Sequence, residues 1–509
     1  MNLTYGHCYY GVDYSVPSYE LPPVALADAS NIVPTDEGLP TGRKGSVKMN
    51  NTSLASAVTS FHEYRAGTTA DQICSYSTKI AVYDSATSEF VDKITGLTNG
   101  AMFQWANFES KAIGVNGTDA PQYWTDDSNK GDLAGSPPPG ATCVCEWSNR
   151  LWLADGATLT GSALNDPTDY TTTGADGYVS QIVGDSGDSI TGLFGFFDVL
   201  LVGKKNTIYK VYFGTPNDVS TLYIVPVYMK SADSVGFTSK WAITQVGNDV
   251  LFLDGTDIKR LSGIQEFGDI ETASIIPHCR DYIESVADVD YIQYSQFFHY
   301  KKKRQIWCSI PTGASTRYVF VLDYTFKDQT KRHSFYPMGN LVVNCFGGVQ
   351  NGSTTDIYYG DRTGYVYQLD TGENDNGSAI TRYFTYCISG NAIKDANDNM
   401  ITNVHNYRKN YIYMDTYIKP TESALSMTPS YALDIMDDAQ VRTSGNYTDL
   451  TAETVSGWTG TGIKNKRYRF WGLNGKTMCL KWTHSTVAQN FVFYPSNIYF
   501  TAKSRVIVE

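Results

Sequence analysis

Apolar residues fall in short runs of about four to eight positions, broken by Gly, Asn, Asp, Ser and Thr, and few windows keep them three and four apart for more than two turns. The pattern predicts strands almost throughout and very little helix. The 37 Tyr, 22 Phe and 9 Trp sit mostly inside these runs, as in half-buried antiparallel strands that pack rings on one face.

Several runs share one design of strand, tight turn, strand. The clearest are Asp198–Gly203 with Thr207–Tyr209, and Asp249–Gly255 with Asp257–Lys259. Arg150–Gly156 follows the same design, as does Asp356–Asp361 with Thr363–Tyr367. Weaker versions run from Lys79 to Asp92, Lys111 to Trp124 and Gln305 to Asp323. Their Gly and Asp residues supply the backbone angles and side-chain caps that short hairpin loops require. Counted from the first apolar pair of each unit, the intervals are 49 (151 to 200), 51 (200 to 251) and 106 (251 to 357) residues, the last spanning two units if Ile306 begins the one between. A period near 50 with several strands per unit is that of a β-propeller blade, whose sheet must stack on neighbours to bury both faces. Residues 61–378 are therefore expected to form a propeller of about six blades, with five or seven also compatible, and an irregular pair of sandwiches as the alternative.

The polar stretch Glu373-Asn374-Asp375-Asn376-Gly377 ends the repeat. Beyond it, Tyr411 to Lys419, Met427 to Ile435, Lys466 to Trp471, Met478 to Trp482 and Phe491 to Thr501 alternate apolar and polar positions, which predicts a β-sandwich over 379–509. Residues 1–60 carry Leu21-Pro22-Pro23, Asn31-Ile32-Val33-Pro34, Gly38-Leu39-Pro40 and Arg43-Lys44-Gly45. Proline fixes φ and removes a donor, so this segment reads as an extended arm over other surfaces, contributing one strand that closes the propeller. The fold class expected is all-β.

With 509 residues, 42% apolar and 18% charged, the chain is too apolar for disorder and long enough for two or three domains. It has no apolar stretch near the ~18 residues of a membrane span and no basic, apolar leader, so neither membrane insertion nor Sec export is expected. A net charge of -12 argues against gripping nucleic acid through a positive surface. Nine cysteines, at 8, 74, 143, 145, 279, 308, 345, 387 and 479, are an odd, scattered set that reads as reduced thiols.

Chemical motifs are sparse. Cys143 and Cys145 share one face of a strand but lack a second pair at metal spacing, and read as packed thiols. Asp395, Asn397 and Asn399 begin like a calcium loop, yet Met400 replaces the glycine and Asn406 the bidentate Glu, so a polar turn is expected. The seven His form no H-E-x-x-H pattern, and neither a Gly-x-Ser-x-Gly elbow nor a phosphate-binding Gly-rich loop occurs. Asp126 and Asp127 are adjacent, so on a strand they point to opposite faces and cannot converge on one substrate unless they sit in a turn. No enzyme activity and no cofactor or metal site is expected. Lys301-Lys302-Lys303-Arg304, between Phe297-Phe298 and Ile306-Trp307, reads first as a solvated hairpin tip and second as a contact for DNA or an acidic partner. Lys464, Lys466, Arg467 and Arg469 pose the same choice. Tyr9, Tyr10, Tyr14 and Tyr19 cannot all reach a core from an extended arm, and so are candidates for clasping a neighbouring subunit.

The N-terminal order Leu-Pro, Asn-Ile-Val-Pro, Gly-Leu and Arg-Lys-Gly resembles the opening of tail hub or nozzle proteins of short-tailed bacteriophages, also called packaged-DNA stabilisation proteins. Trp147-Ser148-Asn149-Arg150-Leu151-Trp152-Leu153-Ala154, followed by Ser162-Ala163-Leu164-Asn165-Asp166-Pro167-Thr168-Asp169-Tyr170, is similar to one of that family's blades. Ser189-Ile190-Thr191-Gly192-Leu193 with Asp198 to Val202 and Ile208-Tyr209 resembles the next. The resemblance covers about three quarters of the chain by order of elements. It implies a virion protein, assembled in the host cytoplasm into a ring, typically a hexamer, below the portal-adaptor complex. Such a ring continues the DNA exit channel and docks tail fibres or spikes, while double-stranded DNA passes without sequence-specific binding. An acidic lumen that repels phosphate fits the chain's charge. The competing class is a carbohydrate-binding or hydrolytic propeller, such as a receptor-binding tail protein.

Overall fold

The computed structural model describes residues 2–505 apart from 175, 216–217, 228–233, 264–269, 389–391, 395–399, 403–406, 422–424, 436–437, 451–454, 456–457 and 459–461. The turn expected at Asp395, Asn397 and Asn399 lies outside the described residues.

Each repeated hairpin belongs to a four-stranded antiparallel sheet, of which it is the middle pair in every case but Lys79 to Asp92, the outer pair of its sheet. Six sheets are continuous in sequence, spanning 58–95, 104–132, 143–182, 190–226, 243–274 and 296–338. The seventh takes three strands from 345–369 and its outermost from Ser46–Lys48. The first strand of each sheet lies against the first strand of the next, and Cys345–Asn351 of the seventh against Val58–Ala66 of the first, which closes a ring of seven blades. The expected count of about six was one short, because the two earliest units are compact and depart most from the 50-residue period. Contacts at the seam are close: Asn344 donates its side-chain amide to the Val58 carbonyl at 2.7 Å. A Cβ on Gly347 would stand 2.5 Å from the Phe61 ring.

Apart from a short hairpin, Ala392–Lys394 with Met400–Thr402, the remaining strands form two sheets packed face to face. One has the order Ile32–Pro34, Pro40–Gly42, Phe491–Arg505, Tyr407–Pro420, Lys464–Arg469, and Asn2–Tyr5 also pairs with Phe491–Arg505. The other has the order Asp28–Ser30, Arg382–Ile388, Met478–His484, Thr428–Leu433, Thr448–Asp449. Between them Trp482, Phe384, Phe491, Phe493, Tyr411, Met414 and Ile418 are fully buried. Edge-on ring contacts, such as Phe384 on Phe493 at 5.0 Å and Tyr468 on Trp482 at 5.4 Å, fill the gap.

The first 48 residues are therefore not a separate arm. They give four strands to the sandwich and one to the propeller. Three-residue strands beside prolines escape a reading tuned to longer runs. The Arg-Lys-Gly motif makes the crossing. Arg43, 2% exposed, holds the Asp375 carboxylate in a fork at 2.6 and 2.9 Å and gives Nε to Asn31 Oδ1 at 2.7 Å. Gly45 exchanges backbone bonds with Thr371 and Gly372, and a Cβ there would fall 1.8 Å from the Asn374 carbonyl oxygen.

The cysteines also correct the sequence expectation. Cys387 and Cys479, 92 residues apart in sequence, face each other across Arg382–Ile388 and Met478–His484 with Cα atoms 4.1 Å apart, and a disulfide joins them. Sheet register, invisible in the spacing, brings the pair together. The other seven are free thiols. Cys143 and Cys145 share the strand Cys143–Trp147, and burial raises both thiols, Cys145 to about 12. Among the described residues, no helix is long and apolar enough to cross a membrane.

Candidate functional site

The blade-like motif at 147–170 is a structural lock. Ser148 and Asn149 take left-handed backbone angles at a hairpin turn. Arg150 then turns inward, fully buried, and donates Nη1 to the carbonyls of Ser162 and Gly177 at 2.6 and 2.5 Å. Ser162 Oγ accepts the Leu151 amide at 3.1 Å, and the Trp152 indole donates to the Trp147 carbonyl at 2.9 Å. Asp166 and Asp169 cap the following turns through Thr168, Thr171 and Thr172. These residues hold blade 3 together, and Arg150, Trp152 and Ser162, which define the motif, are buried.

The propeller axis carries a cavity of about 380 Å³ ringed by Phe61, His62, Phe103, Trp105, Trp241 and Phe346. His62 stacks on Trp105 at 5.9 Å, and the Trp105 indole donates to Ser60 Oγ at 3.0 Å. Burial lowers the His62 pKa and keeps the imidazole neutral. A duplex whose major groove alone is ~12 Å wide does not fit such a space. The propeller axis is not a passage for DNA.

Lys301–Lys303 form a single 3-10 turn and Arg304 a left-handed residue, the tip of the blade 6 hairpin. Lys302 pairs with Asp356 at 3.2 Å and Lys303 with Asp370, so half of this basic run is neutralised within the chain. The N-terminal tyrosines do find partners in their own chain. Tyr9 packs on Phe326 at 5.7 Å, Tyr10 lies under the Arg332 guanidinium at 4.5 Å, and Tyr14 packs on Tyr282 at 4.6 Å. Tyr19 is half-buried. The argument that they cannot reach a core fails because the segment is threaded between blade 6 and the sandwich instead of lying outside them.

The largest asymmetry is one of charge. From 151 to 203 the chain has no Lys or Arg and seven Asp. Of these, Asp166, Asp176 and Asp185 are exposed on blade 3 and its passage to blade 4, with Ile182 (58% exposed), while Asp198 is exposed next to Phe197 (64%) at the first hairpin turn of blade 4. The outermost strand of blade 3, Val179–Ile182, is an open edge. On the sandwich, Lys464–Arg469 is the last strand of its sheet, with Lys464, Arg467 and Arg469 exposed and Trp471 at 83%. Arg467 lies over the Tyr413 ring at 4.3 Å while holding Asp415 at 2.6 and 2.8 Å, and Tyr413 stacks on Tyr499 at 4.3 Å. The opposite edge of that sheet, Ile32–Pro34, contacts blade 6. Blade 3 stands three blades from blade 6 in one direction and four in the other. The acidic surface therefore lies on the part of the ring away from blade 6, and the basic strand on the sandwich edge away from blade 6. Four basic residues on one strand were legible in sequence; their separation from blade 3 was not, since it depends on ring closure.

No protein-family model matches the chain, and no curated protein matches it. Among solved structures it is similar to the β-propeller domain of Cps50 (Swd1) from Myceliophteria thermophila, with 10% identity and a TM-score of 0.40, covering 65% of this chain and 100% of that one. The propeller assignment rests on the seven sheets, and no function is carried across from that domain.

Proposed function

We propose that the chain is a non-enzymatic structural subunit of a short phage tail. In this reading it forms a ring below the portal-adaptor complex, lines the DNA exit channel between subunits and docks fibres or spikes. The observation that carries the reading is the charge polarity: an acidic blade 3 with exposed Ile182, and, on the sandwich, a basic, aromatic strand followed by exposed Trp471. Two unlike, complementary surfaces favour head-to-tail contact, which closes into a ring when the rotation per subunit allows. Trp, Tyr and Arg are the residues that dominate interface energetics. The order of sequence elements shared with tail hub proteins supports the same assignment, and a propeller axis with room for only a small cavity favours a lumen between subunits as the route for DNA.

Electron microscopy of the chain, alone and mixed with a portal-adaptor complex, tests this reading. Rings, or a new layer below the adaptor, are expected. Asp185→Lys with Asp188→Lys should abolish them, and adding Lys464→Glu with Arg469→Glu should restore them. A chain that stays monomeric and leaves the complex unchanged would refute the assignment.

A further inference from the structure

The first and second strands of every blade are joined by a tight turn, and in all seven blades that turn includes a residue with left-handed φ. Blades 1, 5 and 7 place Gly67, Gly247 and Gly352 there, and blades 2, 3 and 6 place polar residues: Glu109 with Ser110, Ser148 with Asn149, and Arg304. Blade 4 alone places an aromatic, Phe197 at φ +49°, followed by the exposed Asp198. A left-handed backbone is unfavourable for any residue with a Cβ, and most so for a bulky one. Strain of this kind, kept at an exposed turn, points to a use for the side chain. The turn is anchored: the Phe197 carbonyl accepts the Trp147 indole at 3.2 Å, and the Phe197 ring rests on Phe196 at 4.6 Å. Glu146, the neighbour of Trp147, is exposed, and neither it nor Asp198 forms an ion pair among the described residues.

A groove of about 470 Å³ on the sandwich offers a hollow for such a ring. Asn410, Ile412 and Tyr413 line it from Tyr407–Pro420, and Arg467, Arg469 and Trp471 from Lys464–Arg469 and the turn after it. Arg467 is already engaged with Tyr413 and Asp415. Ile412, Arg469 and Trp471 are exposed, and Arg469 forms no ion pair among the described residues. Trp471 and Phe197 are the two most exposed aromatic side chains among the described residues, so neither covers the other within one chain. An aromatic knob beside a free carboxylate and an aromatic groove beside a free guanidinium are complementary in charge and apolar character, and they can meet only between two copies.

We propose that Phe197 of one copy inserts into this groove on the next, against Trp471 and Ile412, with Asp198 paired to Arg469. The inference rests on the head-to-tail reading above and names the contact behind it. The experiment uses the full chain carrying photoreactive benzoylphenylalanine at position 197, as a mixture of isotopically labelled and unlabelled copies. Mass spectrometry should find position 197 cross-linked to residues 464–472 of the other copy. In sedimentation velocity, Phe197→Gly and Trp471→Ala should each weaken self-association by about tenfold or more, as truncating an aromatic anchor does. Asp198→Arg should weaken it too, and adding Arg469→Asp should restore it. Glycine relieves the left-handed turn, so Phe197→Gly should melt no lower than the wild type diluted to monomer; a lower melting temperature would show that the ring serves the fold and overturn the proposal. Cross-links at 464–472 in copies that electron microscopy shows as open chains would keep the contact and refute the ring. Rings whose cross-links fall elsewhere, or which Phe197→Gly leaves intact, would overturn the contact and keep the ring. Absence of any cross-link between copies would overturn the contact as well.

Discussion

The outermost strand of blade 7 is anchored beside Arg43, and cutting its fork should release that strand locally. In Arg43→Met, Asp375 loses both guanidinium bonds and Asn31 loses its donor. Breaking a buried pair by removing one partner costs about 3–5 kcal/mol. The Asp375 side chain is 21% exposed, so water recovers part of its solvation and the lower figure applies. The strand Ser46–Lys48 pairs with Val366–Leu369 next to this fork, and Ser46 Oγ also donates to Asp375 at 3.1 Å. A local penalty of ~3 kcal/mol raises the population of the opened strand about a hundredfold. Hydrogen exchange by mass spectrometry on a peptide covering residues 44–50 should register that acceleration, with peptides of blades 2 to 4 unchanged. Adding Asp375→Asn should cost little more, because the pair is already broken. Unaltered exchange in Arg43→Met, or fully additive effects in the double variant, would show that the fork does not hold the seam.

Acidification should destabilise the fold through its buried imidazoles. Burial lowers His278 to about 3, and His333 and His484 to about 4. The unfolded chain therefore takes up protons that the fold refuses, and stability present above pH ~6.5 is lost as pH falls toward 4. Asp28 and Asp323, raised to about 6 by burial, act in the opposite sense over about pH 4 to 6, but with smaller shifts and fewer groups. Urea midpoints should drop between pH 7 and 4.5, and drop less in His333→Gln. Gly203→Ala places a methyl 2.1 Å from the buried Phe237 ring and should cost about 1–3 kcal/mol or more, read as a lower melting temperature. Denatured without reductant, the oxidised chain should titrate seven thiols of nine; nine would mean that Cys387 and Cys479 are unpaired.

Hairpins were the legible part of this fold. Leu200 to Val202 and Val250 to Leu253 advertise themselves because each is a short, wholly apolar run followed within a few residues by a polar turn, and all seven hairpins could be marked this way. What local pattern could not carry was long-range pairing. Ser46–Lys48 has no apolar run of its own and becomes a strand only against Val366–Leu369. Arg382–Ile388 was likewise unmarked, although its Phe384 and Tyr386 belong to the sandwich core. Among site residues, the Lys301–Arg304 tip followed from composition. The groove at Trp471 did not, since its walls come from two strands joined only by sheet register, and no spacing rule joins Ile412 to Trp471.

Because Asn2–Tyr5 pairs with Tyr499 through Ser496, and Ser46–Lys48 with the stretch near 368, neither unit can be finished in the order in which it is synthesised. A nascent chain emerging at roughly 5–20 residues per second holds its opening segment unpaired for tens of seconds. Blades 1 to 6 can stack during that wait, but a polypeptide truncated before residue ~490 leaves Asn2–Tyr5 and the sandwich core without their partners. Such topology makes maturation all or none, so that only finished copies would offer both surfaces to an assembly.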